Sequence, residues 1–165
     1  MSPTPACGDA DDLTPAQTEG PYYKPNSPER WTLREAGMTG TPLSLSGLVL
    51  SRRCQPVTRT LLDFWQADDR GAYDNQGHRL RGHQLTDEAG RYRLETIIPG
   101  LYPGRTRHIH VKVQPPNGSI LTSQLYLPGE PRNRRDRLFH SDLLLAIEGA
   151  SQGQVATFNF VLDIA

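Results

Sequence analysis

A chain of 165 residues is long enough to bury a core but too short to house a second catalytic module, which predicts one domain over residues 1–165. Its 18 basic and 18 acidic side chains balance to a formal charge of zero. No global field therefore invites nucleic acid or an anionic membrane, and a small molecule is the expected partner. No apolar run approaches the roughly 18 residues that span a bilayer, and Met1-Ser2-Pro3-Thr4-Pro5 carries neither a basic nor a hydrophobic leader. The expectation is a soluble, cytoplasmic protein; an exported form whose signal has been removed stays open.

Up to about residue 40, Pro3, Pro5, Pro15, Pro21, Pro25 and Pro28 forbid long helices and predict an extended arm, 1–40, laid over a core, 41–165. Beyond it the pattern changes to alternating apolar and β-branched runs: Leu43 to Leu50, Thr58 to Gln66, Arg91 to Thr96, Arg107 to Gln114, Ser119 to Leu127, Leu143 to Ile147 and Gln154 to Leu162. With 15 glycines and 14 prolines punctuating them, these runs predict an all-β fold, a β-sandwich of about seven to eight strands with little helix. Cys7 and Cys54 allow one disulfide, but two unrelated thiols are the simpler expectation. Arg132, Arg134, Arg135 and Arg137 read as a solvated basic face, with attraction of an anionic aromatic as the functional alternative.

The chemistry concentrates in the strand Arg107 to Gln114. His108 and His110 stand two apart, so period-two alternation turns both imidazoles to one face, and two neutral imidazoles can share one transition-metal ion. No cysteine lies near them, and no carboxylate stands at the spacing of a facial triad. Two tyrosines do sit in loops at strand ends: Tyr102 in Ile98-Pro99-Gly100-Leu101-Tyr102-Pro103-Gly104, and Tyr73 in the turn after Leu61 to Trp65. A phenol ionises near neutrality only beside a strong positive charge. Ferric iron would supply it, and two phenolates with a hydroxide would balance its three charges, whereas zinc favours Cys and His.

The segment Arg81 to Tyr102, RGHQLTDEAGRYRLETIIPGLY, closely resembles the signature of the intradiol ring-cleavage dioxygenases, the catechol, protocatechuate and hydroxyquinol enzymes. The resemblance extends to Thr18-Glu19-Gly20-Pro21-Tyr22-Tyr23, Asp63-Phe64-Trp65-Gln66-Ala67, Gly71-Ala72-Tyr73, Thr122-Ser123-Gln124-Leu125-Tyr126 and Pro128-Gly129-Glu130-Pro131, most of the chain. It implies that Tyr73, Tyr102, His108 and His110 ligate a non-haem Fe(III) and that Arg105 and Gln124 stabilise negative charge on the substrate. It further implies that Tyr102 is the tyrosinate displaced by substrate and that Tyr22 touches substrate at the pocket mouth. His78, His83 and His140 lack the spacing and are expected at the surface or in hydrogen bonds.

What the resemblance implies is a dioxygenase that uses O2 to open a catechol between its two hydroxylated carbons, giving a cis,cis-muconate-type diacid. Which catechol is preferred stays open, as does a homo-oligomer. Only five residues separate Tyr102 from His108, fewer than in many members of the family, which predicts a shallower, more open pocket. The long helical segment that pairs subunits in catechol dioxygenases has no counterpart, so that mode of dimerisation is not carried over. Two other classes compete. A non-catalytic β-sandwich binding module with an incidental metal site would have no use for Tyr73, and a ferrous oxygenase would call for a carboxylate ligand.

Overall fold

The computed structural model describes residues 13–150 and 153–165. Among them are nine strands: β1 (Pro42–Leu50), β2 (Leu61–Gln66), β3 (Arg81–Leu85), β4 (Arg91–Ile97), β5 (His108–Gln114), β6 (Leu121–Tyr126), β7 (Ala146–Ala150), β8 (Gly153–Thr157) and β9 (Phe160–Val161). They form a sandwich of two sheets, ordered β4-β1-β8-β7, with β9 also on β1, and β3-β2-β5-β6. Pairing is antiparallel except where β8 and β9 run parallel to β1. Among the described residues the helical content is confined to the short 3₁₀ turns Pro131–Arg134 and Ser141–Leu143.

The alternation read from the sequence becomes the core. Ile109, Val111 and Val113 of β5, Leu62 and Phe64 of β2 and Leu125 of β6 are fully buried with Leu43, Leu45, Leu94 and Phe160 of the other sheet. Each such side chain contributes about 1.5–3 kcal/mol. A slip of one residue in β5 would exchange Ile109, Val111 and Val113 for His108, His110 and Lys112, so the core itself fixes which face carries the histidines.

Several of the expected strands differ from those observed, and the larger differences have local reasons. β2 begins at Leu61 rather than Thr58, because Arg59 adopts a left-handed conformation (φ 57°) and ends the preceding turn. The run expected as one strand from Gln154 to Leu162 is two, because the Asn159 side-chain Oδ1 accepts the Leu48 N–H in place of a ladder carbonyl. Leu143 closes a 3₁₀ turn, and the strand expected there starts at Ala146. β3, Arg-Gly-His-Gln-Leu, was absent from the expected set, since a short strand held between β2 and the arm at His83 needs no apolar alternation.

Residues 13–40 run along the strand edges. Thr14 N–H donates to Val161 O, Gln17 N–H to Thr122 O, Arg30 N–H to His83 O and Leu33 N–H to Glu95 O, and the Leu33 side chain is fully buried in the core. Edges that would otherwise present free backbone groups are thereby covered. The expectation of two independent thiols is corrected: Cys54 is disulfide-bonded, while Cys7 lies outside the described residues. No helix among the described residues is long and apolar enough to cross a membrane.

Candidate metal centre

The outer face of the β3-β2-β5-β6 sheet carries the candidate site. In register across it lie Trp65 of β2, His110 of β5 and Gln124 of β6. Trp65 stacks flat on the His110 ring, centroids 4.8 Å apart and planes within 7°. His108 and His110 are both 4% exposed, so the arm and two loops, rather than water, complete their surroundings.

Two aspartates shape the loop that delivers Tyr73. Asp68 Oδ1 accepts the N–H groups of Arg70 and Ala72, and Asp74 accepts those of Gln76, Gly77 and Arg79. These bonds hold the Asp74 carboxyl down to about 2. Gly71, at φ 86°, lies so close to the second loop that a Cβ would strike the Leu101 carbonyl, and one on Gly100 would strike the Gly71 nitrogen and Asp69 carbonyl. The two loops therefore meet backbone to backbone, with Gly100 N–H donating to Asp68 O at 2.7 Å. Tyr102-Pro103-Gly104-Arg105 closes as a tight turn, Arg105 N–H to Tyr102 O at 3.0 Å with Gly104 at φ 79°, which sets Tyr102 and Arg105 side by side in the short connection.

Three of the four expected ligands converge. The Tyr73 hydroxyl, His108 Nε2 and His110 Nε2 form a triangle with every side 3.1 Å. His108 Nδ1 lies 2.7 Å from the Thr106 carbonyl, so Nδ1 carries the proton and Nε2 presents a bare lone pair. Burial, reinforced by the Arg105 charge, lowers His108 to about 4, and burial with its neighbour His108 depresses His110 well below its usual range. Burial likewise raises the Tyr73 phenol well above its usual range, although Arg105 and Arg81 pull it down. The protein alone thus keeps two neutral imidazoles and one neutral phenol facing one another. Among the described residues no three of His, Cys, Asp and Glu come together. The donor set is imidazole and phenol, which fits a hard, highly charged cation able to displace the phenolic proton.

Tyr102 stands beside this triangle. Its ring meets Tyr73 edge-on, centroids 5.8 Å apart, and its hydroxyl is 2.8 Å from that of Tyr22. Tyr22 in turn stacks on Tyr73 with centroids at 4.7 Å. The bond to Tyr102, with burial, raises the Tyr22 phenol. Arg81, which sequence reasoning missed, stitches these parts together: only 2% exposed, it donates from Nη1 to Tyr22 O at 2.6 Å and from Nε and Nη2 to Asp74 O.

Arg105 approaches from the other side. Its Nη1 is 3.4 Å from His108 Nε2, and Nη2 donates to Gln124 Oε1 at 2.7 Å and to the Tyr126 hydroxyl at 3.2 Å. The sequence leaves the counter-charge of Arg105 to an anionic reaction species; the structure supplies a permanent one in Asp136, 2.8 Å from Nε. Because a guanidinium only donates and Gln124 Nε2 donates to Thr18 O at 3.0 Å, the amide orientation of Gln124 is settled, with its oxygen toward Arg105. Arg132, Arg134, Arg135 and Arg137 are exposed, in and after the 3₁₀ turn Pro131–Arg134. Away from the triangle, His83 Nδ1 is 3.1 Å from Ser27 Oγ, and His140 Nδ1 accepts the Asp142 N–H.

The family model described as Dioxygenase matches residues 18–165. The chain is 35% identical over 128 residues to the protocatechuate 3,4-dioxygenase beta chain of Burkholderia cepacia, covering 64% of this chain and 54% of that one. It is 27% identical over 150 residues to the catechol 1,2-dioxygenase of Acinetobacter baylyi, covering 73% and 48%. It spans about half the length of these curated relatives. Among solved structures it superposes on the dioxygenase domain of a dioxygenase carbohydrate-binding protein fusion from Streptomyces sp. SirexAA-E, with TM-score 0.91, 56% identity, and coverage of 93% of this chain and 99% of that one. The 3-chlorocatechol 1,2-dioxygenase of Rhodococcus opacus 1CP gives TM-score 0.85 at 26% identity, over 92% of this chain and 73% of that one. With the family model spanning nearly the whole fold, the chain belongs to the intradiol ring-cleavage dioxygenase family.

Proposed function

We propose that the protein is a non-haem Fe(III)-dependent dioxygenase that opens a catechol between its two hydroxylated carbons with O2, giving a cis,cis-muconate-type diacid. The observation that carries this reading is the 3.1 Å triangle of Tyr73 hydroxyl, His108 Nε2 and His110 Nε2. In this reading Tyr73, His108, His110 and Tyr102 hold the iron, and residues 1–165 act as one dioxygenase domain. Ferric iron held by these residues would supply the Lewis acidity that favours catecholate over catechol and activates its ring toward O2.

The chain's own residues do the rest. Tyr102, as phenolate, takes one catechol proton onto its hydroxyl oxygen, and the Tyr22 hydroxyl 2.8 Å away gives the resulting phenol a hydrogen-bond partner. Arg105 turns Nη1 toward the charge that a bound catecholate brings, while Gln124 and Tyr126 hold Nη2. Trp65, stacked on His110, excludes water from the back of that ring. The disulfide at Cys54 favours an oxidising compartment and hence the exported form over the cytoplasmic one.

The test is the visible spectrum of the iron-loaded protein before and after anaerobic addition of catechol. A tyrosinate-to-iron charge-transfer band that moves to longer wavelength with catechol, followed by ring-opened diacid when air is admitted, is the expected result. A protein that stays colourless after ferric reconstitution would refute the ligand assignment.

A further inference from the structure

Asp136 is the single acid in the run Arg132 to Arg137, and on sequence it disappears into a basic surface. In the fold its side chain is 2% exposed. Oδ2 accepts Arg105 Nε at 2.8 Å and Thr106 N–H at 2.8 Å, and Oδ1 accepts Leu138 N–H at 2.9 Å. The carboxylate therefore ties the Arg105 guanidinium and two backbone N–H groups to one point, and of these three partners the one that carries a charge is the guanidinium beside the candidate metal site.

A guanidinium is planar and rigid, so fixing two of its nitrogens fixes the third. Asp136 holds Nε, and Gln124 Oε1 with the Tyr126 hydroxyl holds Nη2, at 2.7 and 3.2 Å. Nη1 is the end left over, and it lies 3.4 Å from His108 Nε2, a corner of the donor triangle. Gln124 and Tyr126 are neutral holders: Tyr126 is pushed up to about 12 by burial and stays a phenol. Without Asp136 the guanidinium would keep its charge but lose the carboxylate paired with it. It would then be free to rotate toward solvent or to pair with a phenolate of the site.

We propose that Asp136 is a positioning residue of this centre: it aims Nη1 of Arg105 at the negative charge of bound catecholate and, by its own charge, sets the strength of the field felt there. The assignment rests on the ferric dioxygenase reading. A preorganised donor acts most strongly where its geometry is fixed before charge develops, and small misplacements of such groups are expensive in rate. A purely structural Asp136 would instead reveal itself only in stability, through the Thr106 and Leu138 N–H groups.

The experiment compares iron-loaded wild type with Asp136→Asn, Arg105→Lys and the double variant. It reads iron content, thermal midpoint, the visible band of the anaerobic catechol complex, and kcat and KM separately. The expected result for Asp136→Asn is retained iron, a displaced catecholate band and a kcat lower by about ten- to a hundredfold with KM changed less. In the Arg105→Lys background the same substitution should have little further effect, since both act through one guanidinium. Should Asp136→Asn not fold, Asp136→Glu displaces the carboxylate by one methylene and is expected to move band and kcat in the same direction by a smaller factor. A variant that loses only thermal stability, with band, kcat and KM as in wild type, overturns the assignment alone, as do effects that simply multiply in the double variant. A wild-type protein that takes up no iron and shows no band overturns the dioxygenase reading and this assignment with it.

Discussion

His108 shows how the protein alone commits one side chain to a single protonation state. The Thr106 carbonyl fixes its proton on Nδ1, and burial together with Arg105 lowers it to about 4. A histidine whose folded value lies below its unfolded value of about 6.5 contributes stability in full above about pH 6.5 and loses it as pH falls toward about 4, because the unfolded chain takes up the proton first. The amount at neutral pH is about 3 kcal/mol, and His110 adds in the same direction. Urea unfolding of the metal-free protein at pH 7 and pH 4.5 should show this loss, and His108→Gln should flatten it; an unchanged slope in that variant would assign the acid sensitivity elsewhere. The spacing of His108 and His110 was legible because strand alternation is local. Thr106, Asp136 and Arg81 were not, since a buried acid or arginine in a charged run looks like surface until the partner is known.

At the scale of elements, the site is made by two loops that touch. Gly71 and Gly100 permit this, and the bond from Gly100 N–H to Asp68 O holds it. Gly100→Ala places a Cβ against the Gly71 nitrogen and the Asp69 carbonyl, backbone atoms that cannot rotate away. It should cost about 1–3 kcal/mol of stability and part the Tyr73 loop from the Tyr102 loop. Denaturant midpoints check the first effect, and loss of the ferric charge-transfer band with the fold intact checks the second. The Pro-Gly turn signal before His108 was readable, but its consequence, Tyr102 and Arg105 set side by side, came from the turn geometry. Periodicity likewise found β5 and missed β3, whose polar residues are specified by pairing with β2 and by the arm over it.

At the scale of the molecule, the arm is part of the site as well as of the fold. Gln17 accepts from the Tyr126 hydroxyl at 2.5 Å, Thr18 accepts from Gln124, and Tyr22 meets Tyr102, all from residues remote in sequence. The Cys54 disulfide constrains the unfolded chain and suits an oxidising compartment. A thiol reagent should leave Cys54 unmodified in denaturant until reductant is added. Modification without reductant would remove both the constraint and the argument for export.

The sequence by itself determined the all-β class, the face on which His108 and His110 stand, the family signature and the neutral charge that points to a small-molecule partner. Each of these is written in neighbouring residues, through period-two alternation, turn chemistry or local motif. The tertiary structure decided that Tyr73 closes the triangle while Tyr102 rests on Tyr22, that Gln124 turns its oxygen to Arg105, and that Asp136 is the counter-charge. These contacts join side chains some 20 to 80 residues apart. Local spacing sets the direction in which a side chain leaves its strand, but which group it meets depends on how loops close over the sheet, and that is fixed only when the whole core packs.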